Sequence, residues 1–240
     1  MRASLVIAKK ELGTAVRSVS YYIIFIIFLV IAGLFFSNTI FKFGQADMRI
    51  SFGILHALFL FFIPAITMTS IAGETSSGTF ELLATMPIKL NSILWGKFFA
   101  ALAILKSVIL CTLIYFVIIM VLGRGVDIGA VITGYIGLII AGCAYIAIGI
   151  FASSLPSNQI LAFIIGVVIS AFFFGIRYII GMLPLGLMEF FQFFSFDFHL
   201  QNFFKGVIDL RDILFFGVVT LSFMLLAEFI LRTRNLMQEK

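Results

Sequence analysis

The stretch Gly73-Glu74-Thr75-Ser76-Ser77-Gly78-Thr79 sets two glycines at the spacing of a phosphate-binding loop. Such a loop also needs a lysine directly after the second glycine, for the β and γ phosphates, and then a hydroxyl for magnesium. Here Thr79-Phe80 follow Gly78, the lysine is missing, and Glu74 and Glu81 would repel a triphosphate. The glycine pair therefore does not read as a nucleotide site. A second constellation is His199, two residues after Asp197. The other histidine is His56, and there is no H-E-x-x-H pair, aspartyl pair or metal-ligand set at sensible spacing. A hydrogen-bonded histidine at a helix end is the better reading of His199 than a catalytic one. Cys111 and Cys143 lie in apolar runs and read as small core residues. No catalytic residue, metal site or cofactor is expected in the chain.

The elements around these residues belong to a membrane protein. Of 240 residues, 62% are hydrophobic and 11% charged. Soluble domains carry about 25% charged residues. One hydrocarbon crossing takes roughly 20 apolar residues. Six such runs fall near 21–41, 52–72, 97–122, 129–152, 158–182 and 213–231. The second contains Pro64, which should kink it. The expected fold is all-α: a single transmembrane domain over 1–240, with no room for a soluble domain.

Residues 1–19 precede the first run. At 100° per residue, Leu5, Ala8, Leu12, Ala15, Val16 and Val19 share a face, with Arg2, Lys9, Lys10 and Arg17 elsewhere. This is the pattern of an amphipathic helix in the membrane interface; a soluble tail with chance periodicity is the plain alternative. The run that follows is long enough to stay as an anchor.

Basic residues set the orientation. With the N-terminus cytoplasmic, that side receives Arg2, Lys9, Lys10, Arg17, Lys89, Lys97, Arg232, Arg234 and Lys240. The other side receives Lys42, Arg49, Arg124, Arg177, Lys205 and Arg211. Both termini are expected on the cytoplasmic side of the membrane. The segment 73–92 then lies on the cytoplasmic side. Gly78 or Ser77 can cap a short helix from Thr79, Glu81 suits its first turn, and Pro87 ends it. Asn91 or Ser92 can cap the third span. That helix shows Phe80, Leu82, Leu83 and Met86 with few charges, so it needs a protein partner or the membrane surface.

Glu74, Gly78-Thr79, Glu81-Leu82-Leu83 and Pro87 together resemble the motif of type-2 ABC exporter permeases. The stretches 196–203 and 206–212 resemble the gliding-motility (Gld-type) branch of that family. The resemblance implies that 73–92 holds a coupling helix, docked into a groove of a separate cytoplasmic ABC ATPase, which binds the ATP and magnesium. Glu74, Gly78, Thr79, Phe80, Glu81, Leu82, Leu83 and Pro87 are the expected ATPase-coupling residues. The permease would be a homodimer, with membrane lipids and a periplasmic accessory subunit as further partners and no nucleic acid. Relatives often carry basic residues just after the first glutamate, where this chain has Thr75-Ser76-Ser77.

Two further features bear on cargo. Lys106 lies about 13–14 Å along the third span from Lys97. An intramembrane charge is a functional candidate; snorkelling or pairing within the bundle is the alternative. Residues 183–212, on the outer side, are too polar to cross and too aromatic for a solvated loop. Re-entrant outer helices satisfy both facts. Within them Phe194, Phe196, Phe198 and Phe203 are candidates for an outer gate, against a plain aromatic belt. Spans poor in charge suit an amphipathic or lipid-linked cargo, or mechanical work with no cargo. An ion-coupled secondary transporter, or a structural or sensory subunit, is the alternative class.

Overall fold

The computed structural model describes residues 2–43, 48–79, 89–122, 127–181 and 184–238. The described residues are helical, with no strand among them. In chain order the helices are α1 Arg2–Arg17, α2 Val19–Phe43, α3 Met48–Thr67, α4 Ala72–Ser76 and α5 Leu90–Leu122. They continue as α6 Ile128–Ser154, α7 Gln159–Ile180, α8 Leu185–Phe194, α9 Phe196–Phe204 and α10 Leu210–Gln238. Six stretches are long and apolar enough to cross a membrane: Val19–Thr39, Met48–Ser76, Leu90–Val121, Ile128–Ser154, Gln159–Ile180 and Leu210–Arg234. The third starts two turns earlier than its apolar run, because Leu90 onward is already helical over Lys97.

Helix α6 is the axis of the bundle, packed by α3, α5, α7, α9 and α10. Glycine makes those approaches possible. A Cβ at Gly134 would collide with Phe52, at Gly137 with Phe203, at Gly142 with Leu105 and at Gly149 with Thr67. Each is a place where a neighbouring side chain seats on bare backbone, as small residues allow in membrane helices. The glycine face of α6 is thus filled from within the protomer. Asp127 caps its start, its carboxylate accepting from Ala130 N at 3.2 Å. Arg234 closes the other end, donating to Ser154 O and Ser157 Oγ.

Helix α1 packs along the start of α5. Ser4 and Ala8 are buried, and Leu12 and Ala15 pack on the core. The crossing is at Gly96, where a Cβ would lie 2.7 Å from Ile7 Cβ. Leu5, Val16 and Val19 of the expected apolar face stay exposed, as do Lys9, Lys10 and Arg17.

At the end of the bundle opposite α1, the two short helices α8 and α9 fold back between the spans. Helix α9 is sunk deepest: Phe196, Leu200 and Phe203 are fully buried against α6 and α7. Gly206, at φ +91°, turns the chain out of α9 in a left-handed geometry that favours glycine, and a Cβ added there would lie 3.5 Å from Ala130 Cα.

Candidate functional site

Helix α3 does not run on into segment 73–92. It ends at Thr67, and residues 68–71 form a turn before α4 begins. Pro64 carries no N–H, and its own carbonyl accepts from Met68 N at 2.8 Å. The groups freed by the break meet one side chain of the central helix. Ser153 Oγ donates to Met68 O at 3.0 Å and accepts from Ile71 N at 3.1 Å and Ala72 N at 3.0 Å. A single hydroxyl thus pins the root of the segment to α6.

Glu74 follows on α4 and points at α5. Its Oε1 lies 2.7 Å from Lys97 Nζ, and Glu11 Oε1 of α1 lies 3.3 Å from the same ammonium. Lys97 is 3% exposed. The pairing of Glu74, left unassigned by the neutral Thr75-Ser76-Ser77, is therefore made from a lysine 23 positions on. Two carboxylates around one ammonium leave one formal negative charge in excess. Glu74 Oε2 is buried and has no hydrogen-bond partner among the described residues. Three elements that the sequence keeps apart, α1, α4 and α5, meet at this lysine.

Gly78 sits at φ +71° immediately after α4. Ser77 N bonds Gly73 O and Gly78 N bonds Thr75 O, so these residues close α4. Thr79 Oγ1 bonds Glu74 O at 3.2 Å and Ser77 Oγ at 2.9 Å. The remaining expected coupling residues, Phe80, Glu81, Leu82, Leu83 and Pro87, lie outside the described residues. The third span starts with Lys89 O accepting from Ser92 N and Ile93 N.

Beside the triad is a cavity of about 360 Å³ between α1, α2, α3 and α5. Glu11, Thr14, Tyr21, Ser70, Lys97 and Gln159 give it polar walls.

The opposite end holds a half-exposed ion pair and a buried histidine–carboxylate contact. Arg177 Nη1 lies 2.8 Å from Asp197 Oδ1, and Gln201 Nε2 donates to Asp197 Oδ2 at 2.8 Å. His199 pairs with Asp212 rather than Asp197, Nδ1 to Oδ1 at 2.6 Å. Its Nε2 lies 2.9 Å from Phe193 O, and Asn202 Nδ2 donates to Asp212 Oδ2. A carbonyl oxygen only accepts, so Nε2 carries a proton, and one further proton lies between Nδ1 and Asp212. His199 has no exposed surface and stacks on Phe215 at 4.0 Å. This dyad ties α9 to α10.

Lys106 lies on the outside of α5, exposed, with no ion pair or hydrogen bond among the described residues. It stands 16 residues from either end of the helix, about 24 Å along its axis. The four gate candidates separate: Phe196 and Phe203 are core residues with no exposed surface, whereas Phe194 is 38% and Phe198 44% exposed. Among the described residues no group of three metal-ligating side chains comes together.

Among the described residues the bundle has six helical stretches able to cross a membrane, the second of them broken and tied by charge to the N-terminal helix. The family model described as ABC-2 family transporter protein matches residues 5–227. The chain belongs to the ABC-2 family of transporter proteins. No curated protein matches it. As an ABC-2 family protein, this chain is a multi-pass membrane component of the permease kind.

Sequence reasoning about this ABC-2 permease missed Ser153, Lys97 and Glu11 as parts of the site. A signal existed for Lys97. It is a charge at the edge of an apolar run, and such a charge needs a partner as soon as the helix is packed. Ser153 gave none, since one serine in a long apolar helix looks like any other.

Proposed function

We propose that this chain is the permease subunit of an ATP-driven transporter, worked by a separate cytoplasmic ABC ATPase that docks on segment 73–92. The reading is carried by the Lys97 triad. A force applied to the segment reaches α4, and from α4 it reaches α1 and α5 through one buried ammonium and α6 through Ser153. Packed elements linked in this way move as bodies, which is the usual mode of such coupling.

The end carrying α1 is the cytoplasmic one, both termini face inside, and the membrane is a bacterial inner membrane. Helix α1 lies at its surface, with Lys9, Lys10 and Arg17 toward anionic headgroups. Helices α8 and α9 re-enter from the outer side. Two copies form the transport pathway. Lys106, exposed on α5 with no ion pair or hydrogen bond among the described residues, meets either the second copy or the cargo. Stretches 196–203 and 206–212 favour the gliding-motility branch, and the ATPase drives either export of an amphipathic or lipid-linked cargo or mechanical work with no cargo. Of the four phenylalanines, Phe194 and Phe198 have the exposure that a gate needs.

The test is purification with an ABC ATPase encoded beside the gene, reconstitution in liposomes, and assay of ATP hydrolysis. Hydrolysis that rises with lipid or lipid-linked sugar supports an exporter. An ATPase that does not co-purify contradicts the reading.

A further inference from the structure

A groove of about 720 Å³ runs between α7, α8 and α10. One face of α10 forms its long wall, with Leu214, Phe215, Val218, Ser222 and Phe223 at helical spacing. Phe173 of α7 and Phe193 and Phe194 of α8 close the sides. From Leu210 to Phe223 the wall is about 20 Å long at 1.5 Å per residue. A hydrocarbon core is about 30 Å thick, so this groove reaches from one membrane edge to beyond the midplane.

Its two ends differ. The inner part is apolar, with Ser222 the polar side chain there. At the mouth stand Asp209 and Arg211, both exposed. Asp209 Oδ1 accepts from Arg211 N at 2.9 Å. The Arg211 guanidinium and Asp209 Oδ2 have no partner among the described residues. The mouth therefore offers one cation and one anion side by side, above an apolar groove.

We propose that this groove holds one acyl chain of a zwitterionic phospholipid with a primary ammonium, its phosphate on Arg211 and its ammonium on Asp209. Lipid tails are as apolar as the groove, so chain burial supplies little selectivity. Selectivity comes from the headgroup. A guanidinium engages phosphate through paired charge-assisted bonds. The carboxylate beside it opposes a headgroup of net negative charge and takes three ammonium hydrogens in turn. The assignment rests on the chain spanning a membrane and not on the ATPase partner, so it can fail while the transporter reading stands.

The test is native mass spectrometry of the full chain, delipidated in mild detergent. The protein is then offered phosphatidylethanolamine, phosphatidylcholine and phosphatidylglycerol of equal chain length. We expect one phosphatidylethanolamine retained per protomer, ahead of both others. Arg211→Gln lowers that retention about tenfold, the worth of a lost charge-assisted contact. Asp209→Asn moves the preference toward phosphatidylglycerol. Ser222→Trp, which fills the slot, abolishes retention, while Leu221→Trp on the exposed face of α10 leaves it unchanged. Equal retention of the three lipids by the wild type, or equal retention by wild type and Arg211→Gln, overturns the proposal. Arg211 is an exposed side chain, so that comparison stands even where Ser222→Trp fails to fold.

Discussion

Lys97 Nζ lies 2.7 Å from Glu74 Oε1, with the lysine almost wholly buried. This contact joins the root of the segment after the second span to the start of the third. Removing one partner of a buried pair costs about 3–5 kcal/mol, because the other charge stays buried without compensation. Lys97→Met strands two carboxylates, and it is expected to lower the thermal midpoint in detergent by several degrees. Adding Glu74→Gln should recover part of that loss. A purely additive double variant would mean that the two groups do not interact.

Ser153 serves three backbone groups at the break in the second span. Ser153→Ala leaves them unsatisfied in the bundle, at about 1–3 kcal/mol for a buried group. Hydrogen exchange at Ile71 and Ala72 is expected to quicken in the variant, with exchange in α10 unchanged.

Gly142 and Gly149 receive Leu105 and Thr67. Gly142→Leu and Gly149→Val should abolish a monodisperse peak in size-exclusion chromatography, since neither neighbour can withdraw from a helix so closely packed. Gly217 has open space where a Cβ would be. Gly217→Ala should be neutral or stabilising by up to about 1 kcal/mol through helix propensity.

Asp212 accepts from His199 and Asn202 at once. Asp212→Ala orphans both and should cost about 3–5 kcal/mol, as other broken buried pairs do. Thermal melting checks this, with Lys205→Ala, an exposed neighbour, as the variant expected to melt like the wild type.

The crossings were legible in the sequence because a bilayer demands about 20 apolar residues in a row, and no other constraint writes that pattern. A pair such as Glu228–Arg232 follows from helix geometry alone, since residues four apart on a helix are neighbours whatever else the chain does. Pairings that depend on how helices are arranged were not legible. Asp197 and His199 are close in sequence, but residues two apart on a helix do not face each other, so His199 finds Asp212 and Asp197 finds Arg177. Glycines in a membrane helix allow close packing, but their residue type alone does not name Phe52, Leu105 or Thr67 as the occupants. The phenylalanines of 190–204 looked alike as residue types. Only the sinking of α9 into the bundle makes Phe196 and Phe203 core while Phe194 and Phe198 stay exposed.

If segment 73–92 receives force from an ATPase, the two proteins hold together through it. The most direct measurement is the fraction of ABC ATPase recovered with tagged permease from detergent-solubilised membranes. Phe80→Ala combined with Leu82→Ala is expected to lower that recovery about tenfold, as loss of a central apolar contact does. Lys106→Ala, far from the segment, should leave it unchanged. Full recovery with Phe80 and Leu82 both truncated would contradict the account.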